Sequence, residues 1–319
     1  MERQKIIDEI KKVIYGKDEI INKILMCIVA DGHIIMEDKP GVGKTTLAKA
    51  FAKALGLNNS RIQFTNDLMP SDITGYITYN IDKKASELKK GPIFDTNILL
   101  ADEINRASAK SQSALLEVME ERQTTLDNVT YKMEEPFIVM GTMNPYTSPL
   151  YGVSVLPQSQ LDRFTIALTI GYANQEGEMG MLKSRSKQDP LDLIIPITNK
   201  TEILAARKQL QDIYVDDSIY KYVIELVNKT RNNNEIEIGI SPRGELAIMR
   251  MAKTNALFHD RDFVVPDDVS EVFVDTSIHR ITLKDNELKI ISEKRRSILE
   301  NILKNTEKPN IIKNVWCIY

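Results

Sequence analysis

The segment Pro40-Gly41-Val42-Gly43-Lys44-Thr45-Thr46 gathers residue types suited to holding a polyphosphate. An anion of that size needs many donors brought close, and Gly41 and Gly43 permit a backbone approach that a Cβ would obstruct. The apolar stretch His33–Met36 precedes the loop, and a helical pattern with Leu47, Ala48, Phe51, Ala52 and Leu55 on one face follows it. That order sets a helix N-terminus, with its unpaired N–H groups and positive dipole end, against the loop. Lys44 can then reach the β- and γ-phosphates, and the Thr45 hydroxyl can ligate Mg²⁺. The complete pattern G-x-x-x-x-G-K-[ST] has glycine where this chain has Asp38.

A second polar cluster follows the apolar run Ile98–Ala101, where Asp102 and Glu103 emerge together. Carboxylates at the C-terminal end of a buried strand lie where open α/β sheets bind ligands. Successive side chains on a strand point to opposite faces, so the pair divides its work. Asp102 can hold Mg²⁺, while Glu103 orients and polarises an attacking water. Another buried run, Phe137–Met140, ends in Gly141-Thr142-Met143-Asn144-Pro145, and Asn144 can bond a γ-phosphate or the water. Read by themselves, Asn144-Pro145 is more often an ordinary turn, and Arg163 and Arg243 are surface arginines. Ser241 and Pro242 suit the N-cap and first position of a helix, which would aim Arg243 from its first turn. His33, His259 and His279 stand apart from one another and read as structural.

The elements that must position these residues are legible in the alternation of short apolar runs with helical patterns, which signals a parallel sheet covered by helices. The expected strands are His33–Met36, Arg61–Phe64, Ile98–Ala101, Phe137–Met140 and Ile166–Ile170, each short and nearly all apolar. Gln123–Met133, with Asp127-Asn128 as its turn, and Tyr76–Lys89 read as hairpin inserts outside the core. From about Thr201 helical periods dominate, over Glu202–Gln211, Asp217–Thr230, Pro242–Phe258, Pro266–Ile278 and Ser292–Asn305. The polar stretch Ser184–Lys200, with Pro190 and Pro196, marks the boundary. We therefore expect a nucleotide-binding core over 1–190, a smaller all-α domain over 191–308 and a tail over 309–319.

Composition narrows the classes. The 319 residues include 42 Lys and Arg against 45 Asp and Glu, a net charge of −3, which argues against a chain-wide basic surface for nucleic acid or membrane. The longest apolar run, Ile24 to Ala30, is far short of the roughly 20 residues of a spanning helix, and the charged N-terminus lacks a signal-peptide core. A cytoplasmic protein is expected. Cys27 and Cys317 have no Cys or His neighbours at metal-ligand spacing and read as reduced and structural.

The order and wording of MEDKPGVGKTTLAKA, RIQFTNDLMPSDITG, GPIFDTNILLADEINRASAKSQSALLEVMEERQ, GTMNP, LPQSQLDRF and GISPRGELAIMR resemble the MoxR family of AAA+ ATPases across roughly Val13 to Leu283. The resemblance implies a P-loop NTPase core, a parallel-sheet αβα sandwich with β-hairpin inserts, followed by a smaller all-α lid. It makes Lys44 and Thr45 similar to Walker A and Asp102 and Glu103 similar to Walker B. Asn144 looks like sensor 1, Arg163 like an arginine finger offered to a neighbouring subunit, and Arg243 like sensor 2. It further implies ATP and ADP as ligands with Mg²⁺, a homo-oligomeric ring, typically hexameric, and a chaperone-like role on protein clients. Those clients often carry a von Willebrand factor A domain with a metal-ion adhesion site. Asn66 and Gln158 depart from residues frequent in the family, the second just before the finger. Two rival readings are a nucleic-acid motor of the same clade and a scaffold that binds ATP without turnover. The acidic-to-neutral Asp127-Asn128 tip disfavours the motor, and the presence of Glu103, Asn144 and Arg163 disfavours the scaffold. No NKxD guanine motif and no LSGGQ signature occurs.

Overall fold

The computed structural model describes residues 2–39, 41–144, 156–173, 175–184, 189–285 and 289–310. The chain forms two compact units, Met1–Arg207 and Lys208–Tyr319.

The first unit opens with α1 (Arg3–Lys11) and α2 (Asp18–Val29), then β1 (Ile34–Glu37), α3 (Lys44–Ala54), β2 (Asn59–Gln63), α4 (Pro70–Thr74), β3 (Gly75–Asn80) and β4 (Ala85–Lys90). It continues with β5 (Ile98–Asp102), α5 (Ala109–Glu121), β6 (Gln123–Leu126), β7 (Val129–Lys132), β8 (Ile138–Met143), α6 (Gln158–Leu161), β9 (Ile166–Leu168) and α7 (Gln175–Ser184). Five strands form one parallel sheet in the order β2-β5-β8-β1-β9. Every residue of β1, β8 and β9 is buried, as are the first four of β5, because these strands are covered on both faces.

Strand β2 departs from the expected apolar run. It starts two residues earlier and, as an edge strand, alternates, with Arg61 and Gln63 exposed on one face and Ile62 buried on the other. Both expected hairpins form, β3 with β4 and β6 with β7. Asp127 and Asn128 both take positive φ, 46° and 65°, the left-handed turn whose twist matches a two-residue hairpin. His33, 4% exposed, is structural: Nδ1 accepts the Val139 N–H at 2.9 Å and Nε2 lies 3.1 Å from the Met119 carbonyl. Cys27 is a buried thiol whose Sγ lies 3.6 Å from the His33 carbonyl, and Cys317 lies outside the described residues.

Helix α8 (Lys200–Asp212) contains the division between the units, later in the chain than the expected boundary at 190/191. The cause is a set of bonds that fasten the intervening segment to the first unit. Ile197 donates to the Ala54 carbonyl, Ile195 N–H to Glu9, and Lys53 to the Leu191 carbonyl. Arg207 then binds the Ile28 carbonyl at 2.8 Å and Asp31 at 2.6 Å.

In the second unit, α9 (Asp217–Arg231), α10 (Pro242–Phe258), α11 (Pro266–Ser277) and α12 (Glu293–Lys304) pack on Ile219, Leu226, Ile248, Phe273 and Leu299. Asp216, Ser241 and Ser292 cap α9, α10 and α12, each side chain accepting a first-turn N–H. The unit is helical as expected, and in addition β10 (Ile236–Ile238) and β11 (Thr282–Leu283) form a short antiparallel ladder. Runs of two or three residues are too short to leave a period in the sequence. His259 bonds the Asn255 carbonyl, and the buried His279 accepts from Arg280, both structural. Residues 311–319 of the expected tail lie outside the described residues.

Candidate functional site

At the C-terminal ends of β1, β5 and β8 the first unit holds a cavity of about 510 Å³, within the usual range for a small-molecule site. Gly41, Gly43, Lys44, Thr45 and Thr46 line one side of it. Gly41 and Gly43 take φ of 85° and 93°, a conformation that costs a residue with a Cβ about 1–2 kcal/mol. Gly43 is also the N-cap of α3 and offers no side-chain acceptor, so no N-cap side chain claims the N–H groups of the first turn. Val42 does not line the cavity, and Pro40 lies outside the described residues. Lys44 Nζ donates to the Asp38 carbonyl at 3.0 Å and the Lys39 carbonyl at 3.4 Å. Burial lowers the Lys44 pKa, and the negative charges of Asp38, Asp102 and Glu103 oppose that shift.

Asp102, Glu103 and Asn144 line the cavity with the loop. The two carboxylates are held by residues that sequence reasoning did not single out. Thr142, fully buried on β8, accepts the Glu103 N–H at 2.9 Å and donates to Asp102 Oδ1 at 2.5 Å. Arg61 on β2 ion-pairs with Asp102 Oδ2 at 2.8 Å. Gln63, two residues along the same face, donates to Glu103 Oε2 at 3.0 Å, and Arg106 binds that oxygen at 2.8 Å. The available signal was the alternation Arg61-Ile62-Gln63, polar on one face at the C-terminal end of a strand. Glu103 sits in the left-handed region at φ 55°, ψ 48°, a strained backbone of the kind that concentrates at functional sites. Arg61 and Thr142 thus hold the Asp102 carboxylate, and Gln63 and Arg106 hold that of Glu103.

Known proteins resemble this chain over most of its length. The model of the ATPase family associated with various cellular activities (AAA) matches residues 33–166, and that of the AAA lid domain matches residues 228–302. The protein YeaC of Bacillus subtilis is 41% identical, covering 96% of this chain and 94% of that one. Chaperone MoxR1 of Mycobacterium tuberculosis is 37% identical over 88% of this chain and 75% of its own length. The crystal structure of an ATPase candidate from Cytophaga hutchinsonii superposes with a TM-score of 0.87 at 38% identity, covering 97% and 95% of the two chains. The chain belongs to the MoxR family of AAA+ ATPases.

The remaining residues singled out in this MoxR-family sequence sit on different elements. Arg163 follows α6 and does not line the phosphate-loop cavity. Its Nη1 donates to the Leu116 carbonyl at 2.7 Å and lies 3.2 Å from Glu120 Oε2, both on α5. With Glu117 and Gln160 it borders a separate cavity of about 250 Å³. Arg243 is exposed on the first turn of α10 in the second unit. Asn144 is half-buried, and its carbonyl accepts from Asn105 at 3.3 Å. Among the described residues, no group of three or more His, Cys, Asp and Glu side chains could hold a metal ion by itself. The donors present fit Mg²⁺ in another way. That ion takes one or two protein oxygens and completes its shell with phosphate and water, and the Thr45 hydroxyl and Asp102 carboxylate face one cavity. Among the described residues no helix is long and apolar enough to cross a membrane.

Proposed function

We propose that this MoxR-family chain binds ATP with Mg²⁺, hydrolyses it within a homo-oligomeric ring, and uses the cycle to remodel partner proteins. The observation that carries this reading is the convergence of Lys44, Thr45, Asp102, Glu103 and Asn144 on one cavity at the sheet edge. Lys44 and the N–H groups of the loop and the first turn of α3 bind the phosphates. Thr45 and Asp102 hold Mg²⁺, which when bound screens the phosphate charge. Glu103 orients the attacking water and takes up its proton, with Gln63 and Arg106 on one carboxylate oxygen leaving the other to face the water. Asn144 bonds the γ-phosphate or that water. Arg163 neutralises transition-state charge at the neighbouring subunit's nucleotide, and Arg243 contributes from the lid. The ring is a hexamer, the compartment is the cytoplasm, and the clients carry a von Willebrand factor A domain.

Glu103→Gln tests the reading, because it removes the water-orienting carboxylate and leaves the loop and the metal ligand. ATP affinity stays near wild type while phosphate release drops by two or more orders of magnitude, roughly what general-base catalysis supplies. Turnover near wild type removes Glu103 from this role. A second reading, a motor on single-stranded nucleic acid, draws on the β3–β4 hairpin, where Tyr76 and Tyr79 are 55% and 63% exposed and Tyr76 lies directly across from Lys89. Stimulation of ATPase activity by single-stranded DNA favours the motor; stimulation only by a von Willebrand factor A domain favours the client reading.

A further inference from the structure

Asp38 occupies the first glycine position of the generic phosphate-loop pattern. Nothing in the backbone there calls for glycine, since Asp38 is not among the residues of positive φ. Its carboxylate is nonetheless sequestered, at 5% exposed. Placing a carboxylate there costs free energy unless donors meet it, and two backbone donors do. Oδ2 accepts the Ile170 N–H, and the Gly171 N–H lies 3.2 Å from Oδ1 and 3.3 Å from Oδ2. Burial raises the Asp38 pKa, and these N–H groups, Lys44 and Lys17 oppose the rise.

The main chain of the same residue faces the other way. Its N–H donates to Met143, the residue before Asn144, at 3.1 Å, and its carbonyl accepts from Lys44 Nζ at 3.0 Å. The strip just after β9 is fastened to the loop a second time, with Lys39 Nζ lying 5.6 Å from the Tyr172 ring centre. Lys17 donates to the Tyr172 carbonyl at 2.7 Å, and Thr169 to the Glu37 carbonyl at 3.3 Å. Asp38 thus touches the phosphate-loop lysine, the end of β8 and the exit of β9.

We propose that Asp38 is a positioning residue: its carboxylate anchors the phosphate loop to the Ile170–Gly171 backbone, so fixing the main-chain carbonyl that holds Lys44, and couples nucleotide at the loop to the strip that follows β9. This rests on the reading of the loop as an ATP site. The opposing view treats Asp38 as a tolerated replacement for glycine, and Asp38→Gly separates the two because it completes the generic pattern. Under the proposal, Asp38→Gly weakens ADP binding and raises the KM for ATP at least roughly tenfold, the worth of a charge-assisted bond. Turnover at saturating ATP changes much less, since Asp102 and Glu103 are untouched. Asp38→Asn has nearly the same volume but turns an amide NH₂ toward N–H donors. It loses affinity in the same direction, and amide hydrogen exchange at Ile170 and Gly171 speeds up. In the wild-type protein, ADP slows exchange at those two amides, a readout that stands even if a variant does not fold. Unchanged exchange on adding ADP overturns the coupling. Lys44→Ala separates the two levels of the argument. If the wild-type protein binds no ADP, the ATP reading fails. If binding is lost in Lys44→Ala but kept in full by Asp38→Gly and Asp38→Asn, the positioning role of Asp38 fails alone.

Discussion

Replacing Thr142 by valine removes one hydroxyl and keeps the side-chain shape, so the consequence can be worked from two bonds. The Glu103 N–H loses its acceptor, and a donor stranded in a buried position costs about 1–3 kcal/mol. Asp102 loses its shortest contact but keeps Arg61 at 2.8 Å and is 13% exposed, so its share is smaller, about 1 kcal/mol. The sum, about 2–4 kcal/mol, lowers the melting temperature by roughly 5–15 °C for a unit of this size. Catalysis is also affected, because the lost bond helps hold Glu103 in its left-handed backbone, which favours relaxation by about 1–2 kcal/mol. Relaxation moves the carboxylate, and a displacement near 1 Å costs about 10²-fold in rate. Thr142→Ser, which keeps the hydroxyl and loses one methyl, is the control, expected within about 1 kcal/mol of wild type and active. Thermal melts monitored by fluorescence and steady-state phosphate release at saturating ATP give both numbers. A Thr142→Val protein that melts and turns over like wild type would falsify the view that this hydroxyl positions the two carboxylates.

Three further outcomes are expected. Lys44→Ala weakens ATP binding itself, read by titration with a fluorescent nucleotide. In the wild-type protein, affinity declines with rising pH below the ordinary lysine range, since burial lowers the Lys44 pKa and the charge is lost as pH rises through the shifted value. Arg163→Ala lowers ATPase activity by up to roughly 10³-fold with little change in ATP affinity. Mixing it with Lys44→Ala restores partial activity, because some interfaces then pair an intact loop with an intact finger; no recovery in rings shown to be mixed, together with full activity of Arg163→Ala alone, defeats the assignment. His33→Leu leaves the Val139 N–H and the Met119 carbonyl unpaired, lowering stability by about 2–4 kcal/mol in urea titration, while ADP affinity of the folded fraction stays unchanged.

Much of the fold follows from local pattern. Strand, loop and helix around Lys44 are contiguous, and each piece carries its own signal: an apolar run, two glycines, a 3.6-residue period. Asp127-Asn128 marked its turn because both residues tolerate positive φ, and Ser241 with Pro242 marked the start of α10. The ladder of β10 and β11 left no such trace, and neither did the attachment of residues 190–207 to the first unit, which depends on partners such as Ala54 and Ile28 far back in the chain.

The sequence by itself therefore determined where the strands of the parallel sheet, the two hairpins and the main helices of the second unit lie, and that a phosphate loop, a carboxylate pair and a polar strand exit are present. Only the tertiary structure decided what surrounds them. Strand order β2-β5-β8 sets Gln63 beside Asp102 and brings Thr142 against the Asp102 carboxylate and the Glu103 N–H, and the return of the chain through β9 sets Ile170 and Gly171 on Asp38. The physical reason is that side-chain periodicity records only whether a strand is covered, whereas which strand lies beside it, and in what register, is settled by packing among segments 40 to 132 residues apart.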